Sequence, residues 1–201
     1  MKPHALAAEL VGTFGLTLAV LISIHNPDFP VPTPVIAGVT LGLFVYTIGG
    51  ISGCHINPAV TVGLASIRQI PLPAAGGYLV AQFAGAAIAL LLGSQLFDPG
   101  VQLVVSDAAG VGLAEALGAA LFLFGISAVV LGAVPKAAGG LVIGGSLFLG
   151  IHFAAPASNG VLNPAVALGI GSFSFAYVWG PVLGGIVGAA LYRLIGGQSS
   201  G

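Results

Sequence analysis

The chain alternates long apolar runs with short polar punctuation. Crossing the hydrocarbon of a bilayer takes about 20 mostly apolar residues in a helix. Six stretches qualify, at residues 5–24, 35–51, 73–96, 112–131, 137–155 and 174–195, and the second is the shortest, with the least defined ends. The connectors break helices: residues 25–34 hold four prolines and Asp28, residues 97–110 hold Asp98, Pro99 and Asp107, and residues 131–136 hold Pro135. Two further stretches, 52–68 and 156–173, open with Gly, Ser, His or Asn and then give about ten apolar residues, too few to cross. They read as re-entrant half-helices, whose non-helical backbone is tolerated at membrane depth only inside protein or along a watery cavity. The first run is predicted to be a retained helix rather than a secretory signal. Its apolar stretch is too long, its positive start is weak, and no small-residue cleavage pattern follows. The predicted fold class is an all-α membrane protein with six transmembrane helices and two re-entrant half-helices.

Composition agrees and excludes alternatives. Of 201 residues only nine are charged, which is 4%, while 57% are apolar. A soluble domain needs a surface with roughly 25–35% charged residues. A soluble enzyme or a nucleic-acid binder is therefore excluded, and the formal net charge of −1 offers no basic footprint. Most of the surface must face lipid. Glycine reaches 33 residues, about twice its usual share, which suits helices whose backbones approach closely. Cys54 is the lone cysteine, so no intrachain disulfide forms. With six crossings and an inside N-terminus, Lys2, Arg68, Lys136 and Arg193 all fall on the inner face. Asp28, Asp98 and Asp107 then lie outside. A multi-pass protein with both termini cytoplasmic is expected, formed by one domain over 1–195 and a flexible Gly/Ser tail over 196–201.

The two remaining charges, Glu9 and Glu115, mark a duplication. Ala8-Glu9-Leu10-Val11-Gly12 echoes Ala114-Glu115-Ala116-Leu117-Gly118. Asn57-Pro58-Ala59-Val60 echoes Asn163-Pro164-Ala165-Val166, and each Asn lies 48 residues after its glutamate. Residues 81–85 echo 180–184, with the first half seven residues longer before this echo. The repeats run over about 5–96 and 112–195. Each holds three crossings, an odd number, so the second enters the membrane inverted. Such repeats place their working site near the midplane, between the halves.

The duplicated Asn-Pro-Ala carries chemistry. Asn caps a helix by accepting from a first-turn N–H, and Pro suits the first helical position. Two inverted half-helices starting at Asn57-Pro58-Ala59 and Asn163-Pro164-Ala165 point both positive dipole ends at one central point. A cation there is disfavoured. A water molecule there receives hydrogen bonds from the two carboxamide nitrogens, and its own hydrogens then point away along the path, interrupting a proton wire. The approaches expose the carbonyls of Gly53, Cys54, His55 and Ile56 on one side and of Asn159, Gly160, Val161 and Leu162 on the other. These can accept from a passing solute.

These paired motifs, the 52–61 stretch Ser-Gly-Cys-His-Ile-Asn-Pro-Ala-Val-Thr and the Ala-Glu-x-x-Gly starts resemble the aquaporin family, the major intrinsic proteins, over nearly the whole chain. The resemblance implies an aquaporin-like inverted repeat, usually a homotetramer with one pore per subunit. No cofactor or metal is expected. One feature departs from the family pattern. An Arg usually follows the second Asn-Pro-Ala, and here Val166 stands there. Ungapped counting places the other outer constriction positions on Ala37, on Ile151 or the adjacent His152, and on Gly160. Glycerol-type members usually carry Asp after that Arg, where this chain has Ala167. The set predicts a wider and more apolar mouth than a strict water pore.

Several polar residues admit two readings. Glu9 and Glu115 are either proton-coupling groups or, as the resemblance also implies, buried supports for the re-entrant loops. His55 is a protonation gate or a loop residue whose carbonyl lines the pore. Cys54 is a small buried residue or a thiol reachable from the pore, and Gln82 links helices. The leading function is a passive channel for water or small neutral solutes such as glycerol or ammonia, with lipid as its surroundings and no nucleic-acid partner. The alternatives are a coupled inverted-repeat transporter and a non-conducting structural membrane protein. No enzyme is expected, since no nucleophile–base pair or metal-ligand cluster stands out.

Overall fold

The computed structural model describes residues 2–26, 28–97 and 103–196. Asp98, Pro99 and the tail residues 197–201 lie outside this set. The described residues are helical, with no strand among them. The helices are α1 (Pro3–His25), α2 (Thr33–Ser52), α3 (Pro58–Ser66), α4 (Leu72–Leu96), α5 (Ala109–Val130), α6 (Gly139–Ala154), α7 (Pro164–Gly169) and α8 (Ala176–Ile195). Six of these, with α6 extended by a 3₁₀ turn over Lys136–Ala138, are long and apolar enough to cross a membrane. The six crossings match the six apolar runs, and the helix ends follow the punctuation. Proline opens α1 and α2 within their first two positions. Gly53, at φ 89°, ends α2 in the left-handed region and returns its N–H to the Gly49 carbonyl.

The half-helices are unequal, α3 with 9 residues and α7 with only 6. Both end in a left-handed turn, at Arg68 (φ 63°) and Gly171 (φ 79°). The following N–H groups return to carbonyls inside each helix, Gln69 to Leu64 and Ser172 to Ala167, both at 2.9 Å. The Gly-Ile-Gly sequence at 169–171 makes that turn inexpensive earlier in the second copy. For this reason α7 stops short of the ten apolar residues that its sequence offers.

Packing follows the inverted repeat. Helix α1 packs on α4 as α5 packs on α8, α3 meets α8 as α7 meets α4, and α2 meets its own mate α6 at the centre. Small residues set these crossings. A Cβ on Gly38 would lie 2.7 Å from the Gly144 carbonyl oxygen, so the two central backbones touch. Gly85 presses on the Leu10 carbonyl of α1, and its counterpart Gly184 presses on the Ala116 carbonyl of α5. Topology brings Lys2, Arg68, Lys136 and Arg193 to one end of the bundle, called the lower end below. Asp28 and Asp107 lie at the upper end, where Asp107 Oδ1 accepts from Ala176 N at the start of α8, at 2.9 Å.

Candidate permeation pathway

Two buried carboxylates build the loops that carry the half-helices. Glu9 Oε1 accepts from Ser52 Oγ (2.6 Å) and His55 N (2.9 Å), while Oε2 accepts from Ile56 N (2.6 Å) and Gln82 Nε2 (2.7 Å). Glu115 repeats the pattern, taking Ser158 Oγ (2.8 Å), Val161 N (2.9 Å) and Leu162 N (2.6 Å). Each glutamate thus draws two consecutive backbone N–H groups into the protein and turns the carbonyls of its loop the other way. The backbone reaches this shape through left-handed residues, Cys54 (φ 52°) and Ile56 (φ 39°) in one loop and Gly160 (φ 62°) and Leu162 (φ 55°) in the other. A β-branched Ile there is costly, and the glutamate contacts offset the strain. One serine completes each turn, since Ser52 Oγ accepts from Cys54 N and Ser158 Oγ from Gly160 N, both at 3.0 Å.

The asparagines then lock the loops to each other. Asn57 Oδ1 accepts from Ala59 N (2.8 Å), and Asn163 Oδ1 accepts from Ala165 N (3.1 Å) and Val166 N (3.2 Å). Asn57 Nδ2 donates to the Leu162 carbonyl (2.9 Å), and Asn163 Nδ2 donates to the Ile56 carbonyl (3.0 Å). This amends the sequence reading, in which both carboxamide nitrogens are free and both of these carbonyls are offered to a solute. A carboxamide has two N–H donors. One of each is spent across the centre, and one remains. The Ile56 and Leu162 carbonyls each spend one lone pair on the facing asparagine and keep the other. The other six loop carbonyls, on Gly53, Cys54, His55, Asn159, Gly160 and Val161, accept no hydrogen bond from the described residues.

Two cavities approach this centre. The upper one, about 230 Å³, runs from Thr33 and Leu103 to both asparagines. It is walled by all four ungapped constriction positions: Ala37, Ile151, Gly160 and Val166. The adjacent alternative, His152, does not line it and is exposed on the outside of the bundle. One residue turns a helix by about 100°, so only one of the two neighbours can face inward. The lower cavity, about 480 Å³, runs from Lys2 and Gln69 up to Gly53, Cys54 and His55. Pro58, Ala59, Pro164 and Ala165 are buried and line neither cavity; they form the first turns of α3 and α7.

Sequence reasoning missed a tyrosine pair. Tyr78 Oη donates to the Ser52 carbonyl (2.7 Å), and Tyr177 Oη accepts from Asn159 N (2.9 Å). Both stand at equivalent places of the repeat, ahead of residues 81–85 and 180–184, so the echo already held the signal. It also missed Leu41 and Phe122, apolar residues that periodicity cannot tell from core.

The sequence profile described as "Major intrinsic protein" matches residues 5–195. Aquaporin Z of Rhodopseudomonas palustris is 32% identical, over 100% of this chain and 97% of that protein. Nodulin-26 of Glycine max is 32% identical, over 94% of this chain and 77% of that one. The X-ray structure of the aquaglyceroporin from Plasmodium falciparum superposes with a TM-score of 0.72 over 94% of this chain and 93% of that chain. Its 21% identity makes it a likeness of fold. A match over this length, on a bundle whose two half-helices meet at paired Asn-Pro-Ala motifs, shows that the chain belongs to the major intrinsic protein family.

Proposed function

We propose that the protein is a passive transmembrane channel for water and small uncharged solutes, working as a homotetramer with one pathway per subunit and both termini cytoplasmic. The observation that carries this reading is the pair of cavities converging on Asn57 and His55 from opposite ends of the bundle. A water molecule at the centre would take the remaining N–H of each asparagine on its oxygen. Its hydrogens would then point to the unpaired carbonyls above and below, so that no continuous proton wire runs through. The upper wall of Ala37, Ile151, Gly160 and Val166 holds no charged side chain, so repulsion of cations falls to the converging dipole ends and to desolvation. An uncharged permeant avoids both costs.

The test is stopped-flow light scattering on proteoliposomes, with water, glycerol, ammonia and hydrogen peroxide in turn. Faster equilibration than in protein-free vesicles, linear in concentration, is expected for at least water. Early saturation, or uptake driven by an imposed proton gradient, would refute a passive channel and point to a coupled carrier. Crosslinking in the membrane reads the oligomer, with a four-chain species expected.

A further inference from the structure

The two cavities do not merge. Three side chains line both of them: Leu41 of α2, Phe122 of α5 and His55 of the lower loop. The upper cavity passes all four outer constriction positions and both asparagines without a break and stops at these three. The break between the two cavities therefore lies below the asparagines, not at the mouth.

The inverted repeat says why the closure is one-sided. In the upper half, Leu147, Leu16 and Val161 stand where Leu41, Phe122 and His55 stand in the lower half, 106 residues away in each case. All three line the upper cavity alone. The same ring is thus built twice. With Leu, Leu and Val it leaves an open cavity; with Leu, Phe and His it is a neck. Phe122 and Leu41 are each only 2% exposed.

Hydrogen bonding fixes the chemistry of the third member. Thr61 Oγ1 donates to the Asn57 carbonyl (3.1 Å) and accepts from Gln82 Nε2 (2.9 Å), so its one hydrogen is used. His55 Nδ1, 3.2 Å from the same oxygen, must then be the donor, an assignment from the network. The neutral ring keeps its Nε2 as an acceptor, with no partner among the described residues. The neck is two apolar walls and one acceptor, one step below the donors of the asparagines.

We propose that this neck, rather than the outer mouth, is the size filter of the channel, with Phe122 setting the cut-off. The proposal rests on the channel reading above. Phe122→Leu makes the lower ring more like its upper counterpart. The glycerol-to-water permeability ratio in proteoliposomes is then expected to rise at least about threefold, because a wider neck discriminates less by size. Ile151→Ala widens the mouth instead and is the comparator. A larger rise from Phe122→Leu than from Ile151→Ala supports the proposal. No rise from Phe122→Leu, or a larger one from Ile151→Ala, overturns it. If Phe122→Leu does not yield folded protein, Phe122→Met and the reciprocal Leu16→Phe replace it. The first is expected to raise the ratio and the second to lower it, and the opposite signs overturn the proposal. Wild-type vesicles no faster than empty ones for every solute would defeat the channel reading itself, a result distinct from any ordering of variants.

Discussion

Glu9→Ala removes the acceptor around which the lower loop is built. Four donors lose their partner: Ser52 Oγ, His55 N, Ile56 N and Gln82 Nε2. Two of them have recourse. The Gln82 amide still reaches Thr61 at 2.9 Å, and a serine hydroxyl can rotate. The backbone N–H groups of His55 and Ile56 have none, because left-handed φ at Ile56 holds them where the carboxylate was. A buried N–H left unsatisfied costs about 1–3 kcal/mol, so the pair gives roughly 2–6 kcal/mol. Glu9→Gln separates this from a generic packing loss. Each carboxylate oxygen serves one backbone N–H, so whichever way the new amide turns, its NH₂ faces one of them. About 1–3 kcal/mol is then expected, half the alanine effect.

The assay is thermal unfolding in detergent, with water permeability read on the same preparations. Stability should fall in the order wild type, Gln, Ala, and permeability should fall with the folded fraction. An alanine variant with wild-type unfolding and permeability would refute the supporting role. A Gln variant of wild-type stability that has lost a response to an imposed proton gradient would identify Glu9 as a proton-coupling group instead. Glu115→Ala, which strands Val161 N and Leu162 N, should match Glu9→Ala within about 2 kcal/mol, since the backbone account is the same.

Val166→Arg should narrow the upper cavity and slow glycerol more than water in stopped-flow measurements; an unchanged ratio would mean that position 166 does not bound the path. Tyr177→Phe strands the Asn159 N–H and should cost about 1–3 kcal/mol, whereas Tyr78→Phe strands only a carbonyl, that of Ser52, and should cost less, as detergent unfolding would show. Gly85→Ala would drive a Cβ into the Leu10 carbonyl and lower the unfolding temperature, at roughly 1–3 kcal/mol of overpacking. Gly50→Ala, with nothing beyond its own helix backbone within 4 Å of the new Cβ, should be neutral or stabilising by up to about 1 kcal/mol.

The elements were legible because each is written in a strong local code. A run of some 20 apolar residues leaves the backbone no option but helix, and Pro after Asn at 57–58 and 163–164 fixes where the half-helices begin. What was illegible depends on which way a face points. His152 and Ile151 are neighbours in an apolar run, and only the packing of α6 against α5 and α2 decides that Ile151 faces the cavity. The same holds for Phe122, one of two phenylalanines in a helix that has no exposed polar face to set its phase. The asparagine amides were legible as donors but not as shared ones. Their crosswise bonds to the Ile56 and Leu162 carbonyls join groups more than 100 residues apart.

Comparing the halves separates scaffold from selectivity. Positions kept in both copies bind one half-loop to its surroundings: Glu9 and Glu115, Ser52 and Ser158, Asn57 and Asn163, Tyr78 and Tyr177, Gly85 and Gly184. Each contact in that set is a hydrogen bond or a backbone approach that tolerates no change of group. Positions that differ include Phe122 against Leu16, His55 against Val161 and Cys54 against Gly160, and these line the cavities. The difference is physical rather than incidental. A side chain that faces a solute has few fixed partners in the fold (His55 keeps one, Thr61), so its size and polarity can change with little loss of hydrogen bonding. Val166 and its counterpart Val60 are kept in both copies, yet each lines a cavity. Val166 fills that position against the upper cavity at 4% exposure. With the mouth open and uncharged, discrimination by size has to come from the next ring down that closes, which is the one containing Phe122.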